Sequence, residues 1–259
     1  MKLLFFDIDE TLIPSGGAYP PGVEDALRKT KEKGHKLFIN TGRVRSNVED
    51  YIFTDVFSGI VCGCGTHIIY DGNELLYRTL PRELCHDIAL LCRKCNMYAL
   101  FEHKDHTCYD AELPGNNDNP LVEYFRRSGR KLITDVENPD FVFDKFTVWY
   151  NNRSDVLSFK EGTKKYFNLI DREGDFYEME PLGFSKATGM QFLMDYFASG
   201  VEDVIAFGDS NNDIEMLKKA GIGIAMGNAT DELKSIASFV TDDINHDGIR
   251  NALIKLKLI

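Results

Sequence analysis

Residues 3–11 read Leu3-Leu4-Phe5-Phe6-Asp7-Ile8-Asp9-Glu10-Thr11. Four apolar residues without alternation suit a strand buried on both faces, the usual situation inside a parallel sheet. Two carboxylates one residue apart then close the run, followed by a hydroxyl. In open α/β sheets, ligands bind beyond the carboxyl ends of the strands, and Asp7 and Asp9 fall there. Aspartate also favours plain turns, but two acids are costly to desolvate unless a cation or substrate requires them. The other strand ends decide between these readings.

Working outward, the first and last thirds alternate strand and helix. A helix is expected over 21–34, opened by Pro20-Pro21 and stopped by Gly34, with Val23, Ala26 and Leu27 on one face. A second apolar strand, Lys36-Leu37-Phe38-Ile39, runs into Asn40-Thr41-Gly42-Arg43. A helical stretch over 46–51 and a strand over 59–62 follow. The pattern returns at Val204-Ile205-Ala206-Phe207, which runs into Gly208-Asp209-Ser210-Asn211-Asn212-Asp213, then a short helix with Ile214, Met216 and Leu217, then a strand over 222–225. Such alternation predicts an α/β domain with a doubly wound parallel sheet. The middle, about 80–181, reads differently. It offers amphipathic helices over 82–96, 120–127 and 155–167, and aromatic-rich alternating strands around Phe146-Thr147-Val148-Trp149-Tyr150 and Phe176-Tyr177-Glu178-Met179. Alternation there suggests a sheet with one covered and one open face. The turn-rich loop over 113–120 separates two of these elements. The organisation expected is a discontinuous core, 1–80 and 185–259, with an inserted α+β domain over 81–184.

Composition narrows the function classes. The 259 residues carry 30 Lys+Arg against 41 Asp+Glu, a formal net charge of −11, with no basic run. That argues against nucleic acid as a partner, because phosphate-backbone contacts need a basic face. No segment approaches the apolar length of a membrane span, and the apolar start breaks at once on Asp7 and Asp9, unlike a secretory leader. The expectation is a cytoplasmic protein, monomeric or a small homo-oligomer. Its six cysteines lack zinc spacing and read as reduced thiols. His86, His103, His106 and His246 lack the pair spacing of zinc enzymes and default to the surface. Trp149, Tyr150, Phe176 and Tyr177 read as packing residues. Gly221-Ile222-Gly223 with Gly227 does not open a helix after a strand, so it does not read as a dinucleotide loop.

Four strand or helix ends now supply one set of groups: Asp7 with Asp9, Thr41 with Arg43, Lys186 at the start of a helix over 186–197, and Asp209 with Asp213. Carboxylates from two strands suit Mg²⁺, a hard ion that prefers oxygen ligands. An anionic aspartate attacking an anionic phosphate ester needs such an ion for charge neutralisation and alignment. Thr41 and Lys186 are placed to hold the non-bridging oxygens. Asp9 is a candidate general acid for the leaving alcohol and then general base for water.

Together these stretches resemble the haloacid dehalogenase-superfamily phosphatases of the type IIB, Cof-like group. Asp7-Ile8-Asp9-Glu10-Thr11 is similar to the nucleophile motif, Phe38-Ile39-Asn40-Thr41-Gly42-Arg43 to the second and Ser185-Lys186 to the third. Gly208-Asp209-Ser210-Asn211-Asn212-Asp213 is similar to the metal motif and Met226-Gly227-Asn228-Ala229 to the tail signature. The resemblance spans the chain and implies a Rossmann-like core with an inserted cap. It implies Asp7 as nucleophile and Mg²⁺ ligand, and Asp9 as acid/base whose backbone carbonyl also meets the metal. Asp209 is then a direct ligand, while Asp213 and Asn212 hold the metal shell and phosphate. Thr41, Gly42, Arg43 and Lys186 fall on the phosphate side, with a salt bridge between loop and cap as the other reading of Arg43. The implied substrate is a small phosphorylated metabolite, such as a sugar phosphate. A phosphomutase shares this chemistry and a signalling receiver shares these residue types. Two positions depart from the group: Glu10 stands where glycine is usual, and Gly63-Cys64-Gly65-Thr66 stands where Asn-Gly-Ala is usual.

Overall fold

Every residue of the strand Leu3–Phe6 is 0% exposed, so both of its faces are covered. The computed structural model describes all residues except Ser15, Gly16, Pro114, Asp118, Arg172 and Glu173; Pro114 and Asp118 of the turn-rich loop thus lie outside the described residues. In chain order the first section carries β1 (Leu3–Phe6), α1 (Val23–Glu32), β2 (Lys36–Asn40), β3 (Gly59–Cys62), β4 (His67–Tyr70) and β5 (Asn73–Tyr77). The middle section carries α2 (Arg82–Lys94), β6 (Tyr98–Glu102), β7 (Thr107–Cys108), α3 (Pro120–Arg127), β8 (Leu132–Ile133), β9 (Lys145–Trp149), α4 (Val156–Thr163), β10 (Phe167–Asp171) and β11 (Phe176–Pro181). The last section carries α5 (Lys186–Tyr196), β12 (Val204–Gly208), α6 (Ile214–Lys219), β13 (Ile222–Ala225), α7 (Asp231–Ile236), β14 (Phe239–Val240) and α8 (Gly248–Lys255).

These elements form two compact units. The first comprises Met1–Arg43, Val48–Tyr77 and Phe184–Ile259. Its sheet runs β14-β13-β12-β1-β2-β3-β4-β5, parallel from β14 to β3 and antiparallel beyond. Strand order reverses between β1 and β12, whose registers pair Phe6 with Phe207. Stacked rings at 4.7 Å (Phe6–Phe207) and 5.3 Å (Phe5–Phe38) tie β1 to both neighbours. Helix α1 buries Val23, Ala26, Leu27 and Thr30, an i, i+3, i+4, i+7 stripe. It packs with α8, while α5 packs with α6 and α6 with α7. The strand ends carrying Asp7 and Asp209 are therefore adjacent, at the reversal where such sheets bind ligands.

One local expectation fails here, and one hairpin went unread. The stretch over 46–51 is no helix; only a 3₁₀ turn, Arg45–Asn47, forms. Its side chains are committed to partners elsewhere in the chain instead, Ser46 Oγ donating to the His103 carbonyl at 2.9 Å and Asn47 Nδ2 to Glu102 Oε2 at 2.9 Å. Val44–Asn47 accordingly belongs with the second unit. The β4–β5 hairpin was not anticipated, although Asp71-Gly72, with φ of 49° and 74°, is a strong hairpin-turn signal.

The second unit comprises Val44–Asn47 and Arg78–Gly183. Its sheet runs β10-β11-β9-β6-β7-β8, antiparallel apart from β7 against β8. Ile88 of α2 and Phe159 of α4 join Phe101, Phe143 and Phe146 in one apolar core. Helix α3 places Val122 and Phe125 against Leu100, Tyr109 and Trp149, so it covers part of the face expected to be open. Trp149 stacks on Phe176 and Tyr150 on Tyr177. His103 and His106 are not on the surface. They are buried and stacked at 4.1 Å across a tight turn closed by His103 N–H donating to the His106 carbonyl. Burial lowers both imidazole pKa values, His103 to about 4. All six cysteines are free and buried. Among the described residues no helix is long and apolar enough to cross a membrane.

Candidate active site

The site lies entirely within the first unit. Asp7 continues β1 by donating its N–H to the Phe207 carbonyl at 3.1 Å, and is itself buried. The chain then turns sharply, with the amides of Leu12 and Ile13 both 2.9 Å from the Ile8 carbonyl. Glu10 sits inside this turn at φ 58°, the left-handed region. That explains why glycine suits the position, since a side chain there costs about 1–2 kcal/mol. The strained turn is held from outside: Asn228 Nδ2 donates to the Glu10 carbonyl at 2.8 Å. Thr11 Oγ1 donates to Asp209 Oδ1 at 2.9 Å, tying the first strand end to the second.

At the end of β12 the backbone must pass very close to a side chain. A Cβ on Gly208 would stand 2.4 Å from Asp213 Cγ, so only glycine lets that carboxylate fold back over the loop. Asp213 Oδ2 there accepts the N–H groups of Asp209 (3.0 Å) and Ser210 (3.1 Å). Its Oδ1 takes Lys186 Nζ at 2.7 Å. Lys186 opens α5, whose N-terminus is fixed by a capping box between Ser185 and Thr188. Its ammonium also donates to Asp7 Oδ1 at 2.8 Å and Asn212 Oδ1 at 3.0 Å. Asn40 Nδ2 holds the Lys186 carbonyl at 2.9 Å. Burial works against the lysine's charge, but Asp213 and Asp7 outweigh it and push its pKa up. Lys186 is therefore a fixed cation.

One ligand oxygen from each of Asp7, Asp209 and Asp213 lies within 4.8 Å of the other two. Three carboxylates thus face one ammonium. Burial raises the Asp7 pKa well above its ordinary value, opposed by Lys186 and reinforced by Asp213, Asp209 and Asp9. Asp209 is pushed up to about 7, again by burial first and then by Asp213. Buried negative charge in such excess needs a cation, and an all-oxygen donor set suits a hard divalent ion. The residues present fit a metal.

The remaining candidates divide. The Asp9 side chain is 54% exposed and stands outside this cluster. Arg43 grips it with a fork, Nε to Oδ2 at 3.0 Å and Nη2 to Oδ1 at 2.5 Å. Thr41 is buried at the end of β2, and its Oγ1 accepts the Arg43 N–H at 3.1 Å across Gly42. The loop after β3 supports this turn, with Cys64 N–H donating to the Thr41 carbonyl at 3.1 Å and Gly63 N–H to the Arg43 carbonyl at 2.8 Å. The structure thus brings together Asp7, Lys186, Asp209, Asn212 and Asp213, and pairs Asp9 with Arg43. Thr11, Asn40 and Asn228, quoted within motifs but given no role of their own, also shape the site, as does Glu49, which no motif contained. Asn40 carried a signal, a polar residue closing an otherwise apolar strand.

The family model for haloacid dehalogenase-like hydrolases matches residues 4–253. The 5-amino-6-(5-phospho-D-ribitylamino)uracil phosphatase YcsE of Bacillus subtilis is 27% identical, the match covering 98% of this chain and 94% of the relative. The phosphatase YitU of the same organism and named activity is also 27% identical, over 97% and 96%. A solved HAD subclass IIB sugar phosphatase superposes with a TM-score of 0.82 at 25% identity, covering 100% of both chains. Sharing their hydrolase family over nearly its whole length, with an acidic, lysine-anchored cluster at the sheet reversal, the chain belongs to the haloacid dehalogenase-like hydrolases, as a phosphatase of their type IIB, Cof-like group.

Proposed function

We propose that the protein is a Mg²⁺-dependent phosphomonoesterase that works through an aspartyl-phosphate on Asp7. The observation that carries the reading is the ammonium of Lys186 clamped between Asp7 and Asp213 beside Asp209. An oriented Asp7 carboxylate beside a buried cation and an excess of negative charge supports Asp7 as the nucleophile. Asp7, Asp209 and the Asp9 backbone carbonyl would hold Mg²⁺, with Asp213 in its shell. When bound, the ion supplies neutralisation and alignment of two mutually repelling anions.

Each remaining step falls to a residue of the chain. Lys186, oriented by Asp213 and Asn212, fixes one oxygen of the Asp7 carboxylate while the carboxylate attacks phosphorus. Lys186, Thr41 and the Gly42 backbone stabilise the phosphoryl oxygens as charge spreads over them. Asp9 gives its proton to the departing alcohol oxygen, then takes one from the water that cleaves the aspartyl-phosphate. Phosphate and the free Asp7 carboxylate result. The inserted region over 81–184 is proposed as the cap that selects the alcohol.

The substrate class we assign is the phosphate ester of a small polyhydroxylated metabolite, in the first instance a sugar phosphate. Two similarities support it: the solved sugar phosphatase, and relatives named for a phosphorylated ribityl compound. The test is phosphate release from a panel of phosphorylated metabolites, with Mg²⁺ and with chelator. Chelator-sensitive release from a narrow set of polyol or sugar esters is expected. Metal-independent release, or none from folded protein with Mg²⁺, would overturn the reading.

A further inference from the structure

We infer that Arg43 is the positioning residue for Asp9, and that Glu49 in turn sets Arg43; this rests on the phosphatase reading above. Asp9 is half exposed on a turn, so burial alone does not fix its carboxylate. Arg43 is the only side chain hydrogen-bonded to that carboxylate among the described residues, and it takes both oxygens. A guanidinium fork of this kind fixes the plane of a carboxylate, which a point-charge ammonium cannot do. The third nitrogen, Nη1, donates to Glu49 Oε2 at 2.9 Å. Arg43 and Glu49 flank Val44–Asn47, the short segment that belongs with the second unit. Their ion pair links residues on either side of that segment, within the first unit, and holds the guanidinium toward Asp9. The Arg43 backbone is pinned as well, by the Thr41 hydroxyl at 3.1 Å and the Gly63 N–H at 2.8 Å.

A proton donor misplaced by about 1 Å loses much of its effect, so the consequence depends on how much the leaving oxygen needs the proton. The experiment measures first-turnover alcohol release from an alkyl phosphate and from 4-nitrophenyl phosphate, whose phenolate leaves without protonation. Wild type, Arg43→Lys, Arg43→Gln and Glu49→Gln are compared, and Arg43→Gln is repeated in the Asp9→Asn background. Arg43→Gln is expected to slow alkyl release about 30-fold, a part of the general-acid contribution, and nitrophenol release by less than about 3-fold. Arg43→Lys should behave like Arg43→Gln, and Glu49→Gln should show a smaller loss with the same selectivity. In the Asp9→Asn background the Arg43 substitution should change little. Equal losses on both esters, or additive losses in the double variant, would overturn the inference and make Arg43 a phosphate contact. Absence of release from both esters by folded wild type would instead overturn the phosphatase reading itself.

Discussion

Replacing Lys186 with methionine tests the electrostatic heart of the site. The side chain is 1% exposed and its ammonium bridges Asp213 at 2.7 Å, Asp7 at 2.8 Å and Asn212 at 3.0 Å. Methionine fills much of the volume and removes only the charge and its donors. Each charge-assisted bond contributes about 1.5–3 kcal/mol, but the three share one ammonium and their losses do not add. The better guide is the cost of leaving a buried charge unpaired, about 3–5 kcal/mol. Protonation limits that loss, because burial already raises the Asp7 pKa and removing Lys186 raises it further. The expected destabilisation is therefore about 3–5 kcal/mol at pH 8, shrinking toward pH 5 as a carboxyl takes up a proton. Urea unfolding at both pH values, with and without Mg²⁺, measures it. Mg²⁺ should stabilise the variant more than the wild type, since the ion replaces the missing charge. A loss below about 1 kcal/mol, independent of pH, would refute the claim that Lys186 neutralises these carboxylates.

Two further outcomes follow from the same geometry. The Asp209 carboxyl binds its proton more tightly in the folded chain than in the unfolded one, so metal-free stability should fall as pH rises from its ordinary value of 3.8 to about 7. Mg²⁺ requires the ionised form, so the shift in melting temperature on adding Mg²⁺ should grow across the same interval; a shift that is flat with pH would contradict this. Gly208→Ala should destabilise by about 1–3 kcal/mol, the usual cost of overpacking, because its Cβ would stand 2.4 Å from Asp213 Cγ. It should also cut turnover by displacing Asp213 from Lys186, and wild-type activity in a folded Gly208→Ala protein would show that the close approach is dispensable.

Much of the core was legible because its central strands are buried on both faces and read as unbroken apolar runs. The strand over 222–225 and the helix over 120–127 have the expected bounds, the latter marked by Asn119 as cap and Pro120 at the first position. The stretch over 46–51 misled because its polar residues are committed to tertiary partners, which no local pattern displays. Two histidines read as surface residues are buried, since stacking across a tight turn leaves no periodic mark. Within the site, the order of Asp7, Thr41, Lys186 and Asp209 along the chain marked the strand and helix ends that the fold brings to one unit. The partners were not legible. Nothing in sequence spacing tells that Asp213 folds back onto its own loop, or that Arg43 reaches Asp9. Both arrangements depend on where the turns after β1, β2 and β12 aim their side chains.

The most direct measurement is acid-quenched single turnover of the preferred phosphate ester with Mg²⁺, followed by peptide mapping by mass spectrometry. A transient phosphoryl group on Asp7, absent from Asp7→Asn and never on Asp9 or Asp209, is the predicted result. Turnover without any phosphorylated aspartate, or undiminished turnover by Asp7→Asn, would contradict the account.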